Sequence, residues 1–169
     1  GKKHDIIAGY PWFGSWGRDT FISLPGLTLG LNDDKNCITI LDSLSHDLKN
    51  GLFPNMGNAT SVAFNSVDAP LWYFWAIQQY FHYTKNHKDV WHDFGKKMKT
   101  ILKGYREGLA YNIKMQPNGL IWAGEKGFAL TWMDAVVHGK PVTPRIGYPV
   151  EINALWYNAI MFTIQLASM

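Results

Sequence analysis

The sequence is poor in cysteine and in charged residues. Of its 169 residues, only Cys37 is a cysteine, and 17% are Asp, Glu, Lys or Arg. A single cysteine excludes an intrachain disulfide and a cysteine-based metal cluster. Its apolar, helical surroundings predict that Cys37 is a buried small hydrophobe. No run of 18 apolar residues occurs, which excludes a hydrophobic transmembrane helix. So little charge is unusual for a small, self-contained soluble domain.

Several motifs of common enzyme classes are also missing. The sequence contains no His-Glu-x-x-His pair, no Gly-x-Ser-x-Gly elbow, no P-loop and no Gly-x-Gly-x-x-Gly loop. These absences argue against serine hydrolases, P-loop NTPases and dinucleotide enzymes. His82, His87 and His92 are spaced by five positions, so they do not lie on one helical face as metal ligands would. We therefore expect neither a metal nor another cofactor.

The net charge of +3 is too small and too scattered for a typical nucleic-acid binder. The main basic cluster, at residues 96–103, has the spacing of one face of a helix rather than of a continuous basic surface. Proteins that bind nucleic acid usually show a stronger electrostatic footprint. We expect no nucleic-acid partner and no membrane partner.

The sequence does have an excess of aromatic rings. Aromatic residues make up 15% of the chain, as eight Trp, eight Tyr and nine Phe, and 47% of all residues are hydrophobic. So many rings either fill a large core or line a site that stacks on flat ligand faces.

The spacing of apolar residues predicts five helices. The first begins at Gly17 with Asp19 in its first turn, and Pro25 is expected to kink or interrupt it. The other four are expected at 33–49, 66–83, 88–112 and from 150 to the end. The third is apolar on nearly all sides and should be buried, whereas the fourth pairs an apolar stripe with a lysine-rich face.

Residues 113–149 are punctuated by glycine and proline and predict a long irregular segment, which is usually functional in a compact domain. Buried helices that alternate with a solvent-facing helix and long loops are typical of stacked helical hairpins. The sequence therefore predicts an all-α fold, a closed or partial α/α toroid with long loops gathered over one end.

Because charge is scarce, the charged residues among Trp and Gly are candidate site residues. They fall in four places: Arg18-Asp19 after Trp16, Asp68, Asp134 after Trp132 with Glu125 upstream, and Arg145 with Glu151. Each place has a purely structural interpretation. Arg18 and Asp19 suit a local ion pair, and Asp68 and Glu151 suit a helix cap and a first-turn acid.

Asp134 is the hardest of these to explain structurally, although a hydrogen-bonded turn residue remains an alternative. It lies between Trp132-Met133 and 135–137, in apolar company with no clear helix start. A carboxyl group in apolar surroundings is desolvated, which favours the protonated form that a general acid needs.

Carboxylates, aromatic rings, amides and guanidinium groups together suit a sugar. The hydroxyl groups of a sugar hydrogen-bond to carboxylates, amides and guanidinium groups, while its C–H faces pack on rings. Cleavage of a glycosidic bond then requires two carboxyl groups in separate roles.

Four blocks of the sequence resemble the C-terminal amylo-α-1,6-glucosidase domain of glycogen debranching enzymes. They are AGYPWFGSWGRDTFISLPGLTL (8–29), FNSVDAPLWYFWAIQQY (64–80), NGLIWAGEKGFALTWMDA (118–135) and TPRIGYPVEINALWYNAI (143–160). The resemblance implies an (α/α)6 toroid of twelve helices that hydrolyses the α-1,6-linked glucose at glycogen branch points with inversion. It also implies glycogen or a malto-oligosaccharide limit dextrin as substrate and a cytoplasmic location.

The same resemblance implies roles for individual residues. The Asp of the Thr-Trp-Met-Asp block, Asp134, would be the general acid. The residues that would line the glucose pocket are Arg18, Asp19 and Asp68, with Trp16, Trp132 and Glu151 as weaker members of that set.

One expected part of the active site has no match. An inverting enzyme needs a general base, which in the family is a Glu near the C-terminus of the domain, and neither Glu107, Glu125 nor Glu151 matches its motif. Both ends of the chain, Gly1 and Met169, look like cuts. We therefore expect residues 1–169 to be the N-terminal half of the catalytic toroid, inactive or nearly so alone.

A half toroid would expose the seam where the missing hairpins pack, and such an apolar surface drives association. We expect self-association through a seam that includes Trp72, Trp75, Trp156 and Phe162. Two other functions stay open: a non-catalytic carbohydrate-binding helical module, and another α/α-toroid enzyme. The latter would be a trehalase-like or glucosidase II-like hydrolase, or a sugar epimerase that uses a residue such as His138.

Overall fold

The computed structural model describes residues 4–58 and 61–169, and most of them are helical. This part of the chain contains five α-helices: α1 (Gly17–Leu27), α2 (Asp34–Ser45), α3 (Ala69–Thr84), α4 (His87–Glu107) and α5 (Val150–Ala167). Short 3₁₀ turns lie at Leu29–Leu31 and Ala110–Asn112. The prediction of a helical protein with five helices is confirmed.

Short antiparallel strands, which the sequence analysis did not predict, fold the connecting segments. They are β1 (Ile7–Gly9), β2 (Phe13–Ser15), β3 (Met56–Asn58), β4 (Ser61–Ala63), β5 (Lys114–Met115), β6 (Ile121–Trp122), β7 (Val136–Val137) and β8 (Lys140–Pro141). The first four form one sheet in the order β1-β2-β3-β4, in which Ser15 pairs with both Ile7 and Gly57. The strands β5-β6 and β7-β8 form separate hairpins. The segment 113–149 is therefore irregular with two small hairpins.

Helix α1 begins where the sequence predicts, at a position that only glycine fits. A Cβ atom on Gly17 would lie 2.6 Å from the backbone oxygen of Pro54, closer than real Cβ atoms approach. Pro25 does not interrupt the helix, which continues to Leu27 with Pro25 buried. The lack of a side chain at Gly17 therefore allows the loop before β3 to pack against the start of α1.

The ends of the other helices follow local chemistry. Asp33 caps α2 by accepting a hydrogen bond from the backbone N–H of Asn36 (3.1 Å). Helix α4 ends at Glu107 rather than at 112, because Gly108 takes a φ of +116°, a conformation that favours glycine.

The helices pack in an alternating order. Helix α3 lies against α1 on one side and α5 on the other, while α2 packs on α3, and α4 packs on both α3 and α5. As predicted, α4 presents an apolar stripe to the core and its lysines to solvent. The buried stripe consists of Val90, Phe94, Met98, Ile101 and Tyr105. Three buried rings, Phe21, Phe53 and Tyr73, join α1, the 51–55 loop and α3 at centroid distances of 4.9 to 5.2 Å.

The predicted exposed seam is wrong in two of its four residues. Trp156 is buried, with its ring stacked on Tyr105 at 5.7 Å, and Phe162 is buried as well. Trp72 and Trp75 are partly buried and pack against the core. The apolar residues of α5 that do face solvent are Val150, Tyr157, Met161 and Ile164. Their spacing places them on one face of the helix.

None of the helices in the described part of the chain is long and apolar enough to cross a membrane.

Candidate active site

The guanidinium group of Arg18 joins three segments that are distant in the sequence. Its Nε donates a hydrogen bond to Oδ2 of Asp68 (2.7 Å), and its Nη1 donates to Oδ2 of Asp134 (2.9 Å). Arg18 is the second residue of α1, Asp68 immediately precedes α3, and Asp134 lies in the segment between β6 and β7. The first turns of two adjacent helices and the irregular segment thus meet at one side chain.

The guanidinium group of Arg18 is buried, and part of its hydrogen-bonding capacity has no partner. Its side chain is 8% exposed, and its Nη2 has no hydrogen-bonding partner among the described residues. Burial acts to lower the pKa of Arg18, but the charges of Asp68 and Asp134 and the hydrogen bonds to them outweigh burial and raise it. An unpartnered buried donor on a permanent cation is costly unless a ligand or water occupies it.

Asp68 is not the helix cap that its position suggested. Its side chain is 2% exposed and makes no capping hydrogen bond to α3. Ser66 caps the helix instead, because its Oγ accepts a hydrogen bond from the backbone N–H of Ala69 (3.1 Å). The same hydroxyl donates a hydrogen bond to Oδ1 of Asp68. The two oxygens of Asp68 are therefore held by Ser66 and Arg18, which fixes the Arg18 guanidinium in turn.

The loop that carries Asp68 is itself anchored on two sides. The backbone N–H of Val67 donates to the carbonyl of Leu130 (2.9 Å), and the hydroxyl of Tyr105 donates to the carbonyl of Val67 (2.6 Å). These bonds tie the start of α3 to α4 and to the segment that leads to Asp134.

Asp134 is half-buried beside a cation rather than enclosed by apolar groups. Its side chain is 30% exposed, and the hydrogen bonds of the described residues reach it at Oδ2. The expectation of apolar surroundings for Asp134 is wrong, because Arg18 lies in hydrogen-bonding contact with it. Local sequence cannot show that residue 18 lies next to residue 134. The carboxyl group remains open to solvent on one side.

A second charged cluster lies at the start of α5. Arg145 binds Glu151 through two contacts, one between Nη2 and Oε2 (2.8 Å) and one between Nη1 and Oε1. Nη1 of Arg145 also donates to Oγ1 of the buried Thr131 (3.3 Å). The hydrogen bond from Arg145 lowers the pKa of Glu151. Glu151 is in the first turn of α5, as its structural interpretation predicted.

The two remaining candidates lie near the start of α1. Trp16 immediately precedes the helix, is half-buried and packs edge-on against Phe13 at 6.2 Å between ring centroids. Asp19 is exposed in the first turn of α1. The ion pairs of Arg18 are with Asp68 and Asp134, so the local Arg18–Asp19 pair does not account for this block.

The structure adds partners that the sequence analysis had not assigned to the site. Ser66 and Thr131 lie within the quoted blocks, but only the fold shows which charged groups they contact. Asn55 and Asn65 each have a buried side-chain oxygen without a partner among the described residues.

The arrangement supports sugar chemistry better than metal chemistry. Within the described residues, no group of three His, Cys, Asp or Glu side chains is placed so that it could hold a metal ion. The site instead offers a half-exposed carboxyl group, an unused guanidinium N–H and the 56% exposed ring of Trp132. Guanidinium and carboxylate groups bind hydroxyls, and an exposed ring packs on the C–H face of a sugar.

Comparison with known proteins agrees with this chemistry. A family model described as amylo-alpha-1,6-glucosidase matches residues 1–169. A glycogen debranching enzyme from Saccharomyces cerevisiae (strain ATCC 204508 / S288c) is 27% identical in an alignment of 224 positions. The alignment covers 95% of this chain and 14% of the yeast protein, so the chain spans about a seventh of that relative's length.

Proposed function

This chain belongs to the amylo-alpha-1,6-glucosidase family, and we propose that it supplies the general acid and part of the glucose pocket of a glycoside hydrolase. The reaction is removal of α-1,6-linked glucose at the branch points of glycogen or a limit dextrin. The observation that carries the proposal is the contact of Arg18 with both Asp68 and Asp134, which leaves Nη2 of Arg18 unpartnered beside a half-exposed carboxyl group.

In this proposal Asp134 protonates the oxygen of the leaving glycosidic bond. Asp134 and Glu151 are the two carboxyl groups of the Arg clusters that solvent reaches, with side-chain exposures of 30% and 33%. Arg145 engages both oxygens of Glu151, whereas the hydrogen bond from Arg18 reaches Asp134 at Oδ2, so Oδ1 would face the leaving oxygen. Asp68 is enclosed and holds Arg18, so it orients the guanidinium rather than transferring a proton.

The glucose unit would lie against the exposed Trp132 ring, which is a platform for a C–H face. Nη2 of Arg18 is buried and unpartnered, so it would donate to a sugar hydroxyl or a water molecule that enters the site. Asp19 and Trp16, at the start of α1, would contribute to the same pocket.

Inversion requires a second carboxylate that activates water on the far side of the sugar ring, about 6.5–9.5 Å from the acid. We propose that this base lies outside the 169 residues, as the family resemblance implies; Asp68 and Glu151 are already engaged with Arg18 and Arg145. By itself the chain would then show little or no activity. A cytoplasmic location is part of the proposal, since it follows the substrate.

The helix order fits the N-terminal half of an (α/α)6 toroid. Helices α1, α3 and α5 pack side by side, α2 and α4 pack behind them, and the site lies at the starts of the first set. In the complete toroid, the next hairpin would cover the exposed apolar face of α5. Without it, we propose that the isolated chain self-associates through that face.

The test uses the full-length protein that contains this chain. Purified protein is incubated with a phosphorylase limit dextrin, with maltose and with trehalose, and the first-formed glucose anomer is followed by proton NMR. We expect glucose from the limit dextrin alone, released as the β-anomer. Release from trehalose would favour a trehalase-like enzyme, and binding of limit dextrin without turnover would favour the non-catalytic module; either outcome contradicts the proposal.

A further inference from the structure

The segment 131–134, which carries Trp132 and Asp134, is held from two directions. Arg18 on α1 bonds to Asp134 at one end of the segment. At the other end Arg145 bonds to Thr131, and Glu151 on α5 bonds to Arg145. The candidate acid and the candidate sugar platform therefore sit on four residues of irregular chain fixed between two helices.

We propose that Arg145 and Glu151 form a clamp that positions this segment, and that Glu151 acts through Arg145 and Thr131 rather than by binding the sugar. The inference deepens the proposed function and rests on it for its kinetic consequences. It assigns positioning roles to two residues, one of which, Glu151, was expected from sequence to bind substrate.

The hydrogen-bonding capacity of the clamp supports this assignment. Both carboxylate oxygens of Glu151 accept from Arg145, in the bidentate geometry that gives guanidinium–carboxylate pairs their directionality. A carboxylate whose two oxygens are both engaged by one guanidinium group is better suited to orient that group than to recognise a hydroxyl.

Packing alone does not fix the segment 131–134, so contacts from Arg145 and Glu151 are needed to position it. The side-chain exposures of Arg145 and Glu151 are 23% and 33%, so this pair is shielded in part from solvent. Thr131 is buried, and its Oγ1 also accepts a hydrogen bond from the backbone N–H of Met133 (3.4 Å). The position of Thr131 therefore also fixes the backbone of Met133, next to Asp134. The Trp132 ring itself is largely exposed, so packing alone does not fix its orientation.

A double-mutant cycle distinguishes the clamp from direct sugar binding. Thr131→Val keeps the shape but removes the hydroxyl that Arg145 contacts, and Glu151→Gln keeps the shape but removes the charge. Each single variant is expected to lower kcat/KM of the full-length enzyme by about tenfold, the size that one hydrogen bond to a charged group supports. If Glu151 acts through Arg145 and Thr131, the double variant also loses about tenfold; losses that multiply to about a hundredfold would overturn the proposal.

Glu107→Gln is the matched control, because Glu107 forms an ion pair with Arg106 on the exposed face of α4. It should leave kcat/KM unchanged. If Glu151→Gln does not fold, Arg145→Lys replaces it in the cycle, since lysine keeps the charge but cannot reproduce the bidentate contact.

Hydrogen exchange measured by mass spectrometry tests the clamp without any activity. Peptides that cover 131–134 should exchange faster in Glu151→Gln than in the parent, whereas Glu107→Gln leaves them unchanged. Unchanged exchange in Glu151→Gln would overturn the clamp whatever the enzyme does. Parent protein that releases no glucose would instead overturn the proposed function while the exchange result still decides the clamp.

Discussion

Arg18 and Asp134 are 116 positions apart in the sequence, yet Nη1 of Arg18 lies 2.9 Å from Oδ2 of Asp134. The same guanidinium binds the enclosed Asp68 through Nε. One side chain thus binds a buried carboxylate and a half-exposed one. The effect of the buried pair on stability and that of Asp134 on catalysis can be tested separately.

Removal of Arg18 should destabilise the fold. Arg18→Met leaves the Asp68 carboxylate, 2% exposed, without its cation, and uncompensated buried charges of this kind cost about 3–5 kcal/mol. Urea denaturation measures the change in the free energy of unfolding. Arg106→Met, at a 64% exposed side chain on α4, is the control and should stay within about 0.5 kcal/mol of the parent.

The same pair predicts a partial rescue. Asp68→Asn added to Arg18→Met removes the unpaired charge and should recover part of the lost stability. A double variant that is less stable than Arg18→Met would show that the ion pair is not the source of the effect.

Replacement of the candidate acid should affect turnover rather than folding. Asp134→Asn in the full-length protein keeps the contact with Arg18 through the amide oxygen but cannot protonate the leaving oxygen. We expect kcat for limit dextrin to fall by about 10²–10⁴, the usual contribution of a general acid, with the melting temperature nearly unchanged. Asp93→Asn on the exposed face of α4 is the control, and a variant of Asp134 with near-parental kcat would remove that residue from the role.

The Arg145–Glu151 pair predicts an acid-sensitive contribution to stability. Arg145 lowers the pKa of Glu151 from its ordinary value of 4.5, so the pair stabilises the folded state fully above pH 4.5. That contribution is lost as the pH falls below 4.5 and through the lowered pKa of the folded state. The difference in the free energy of unfolding between parent and Glu151→Gln should therefore shrink between pH 6 and pH 3. A difference that does not depend on pH would contradict this assignment.

Two glycines of α1 should respond in opposite directions to alanine. Gly17→Ala places a Cβ atom against the backbone oxygen of Pro54, which cannot move aside without shifting the 51–55 loop, and should cost about 1–3 kcal/mol. Gly26→Ala meets no atom within 4 Å and should stabilise the helix by about 0.4–1 kcal/mol. Thermal unfolding of the two variants checks both signs.

The exposed face of α5 predicts association of the isolated chain. Light scattering of the 169-residue chain should show a mass that rises with concentration, and Met161→Lys combined with Ile164→Lys should reduce it. Thr100→Lys, on the solvent face of α4, is the control and should leave the mass unchanged. A concentration-independent monomer in the parent chain would contradict the proposal.

Local chemistry was sufficient for the helices. Apolar spacing at three and four residues located all five, and the apolar stripe of α4 was predicted together with its lysine-rich opposite face. The ends of the helices were predicted less accurately than their positions. The end of α4 depended on the conformation of Gly108, and the short strands depended on pairing between segments that show no strand pattern of their own.

The sequence by itself also determined the residue types of the site. Charged residues are scarce in this chain, and the four places that carry the candidate residues lie in blocks that match a known family. Only the tertiary structure decided their partners: Asp68 holds Arg18 instead of capping α3, Glu151 holds Arg145, and Trp156 and Phe162 turn inward. The physical reason is the range of the forces. Helix formation and capping act over three or four residues, whereas a buried ion pair depends on which distant segments the packed helices bring within about 3 Å of each other.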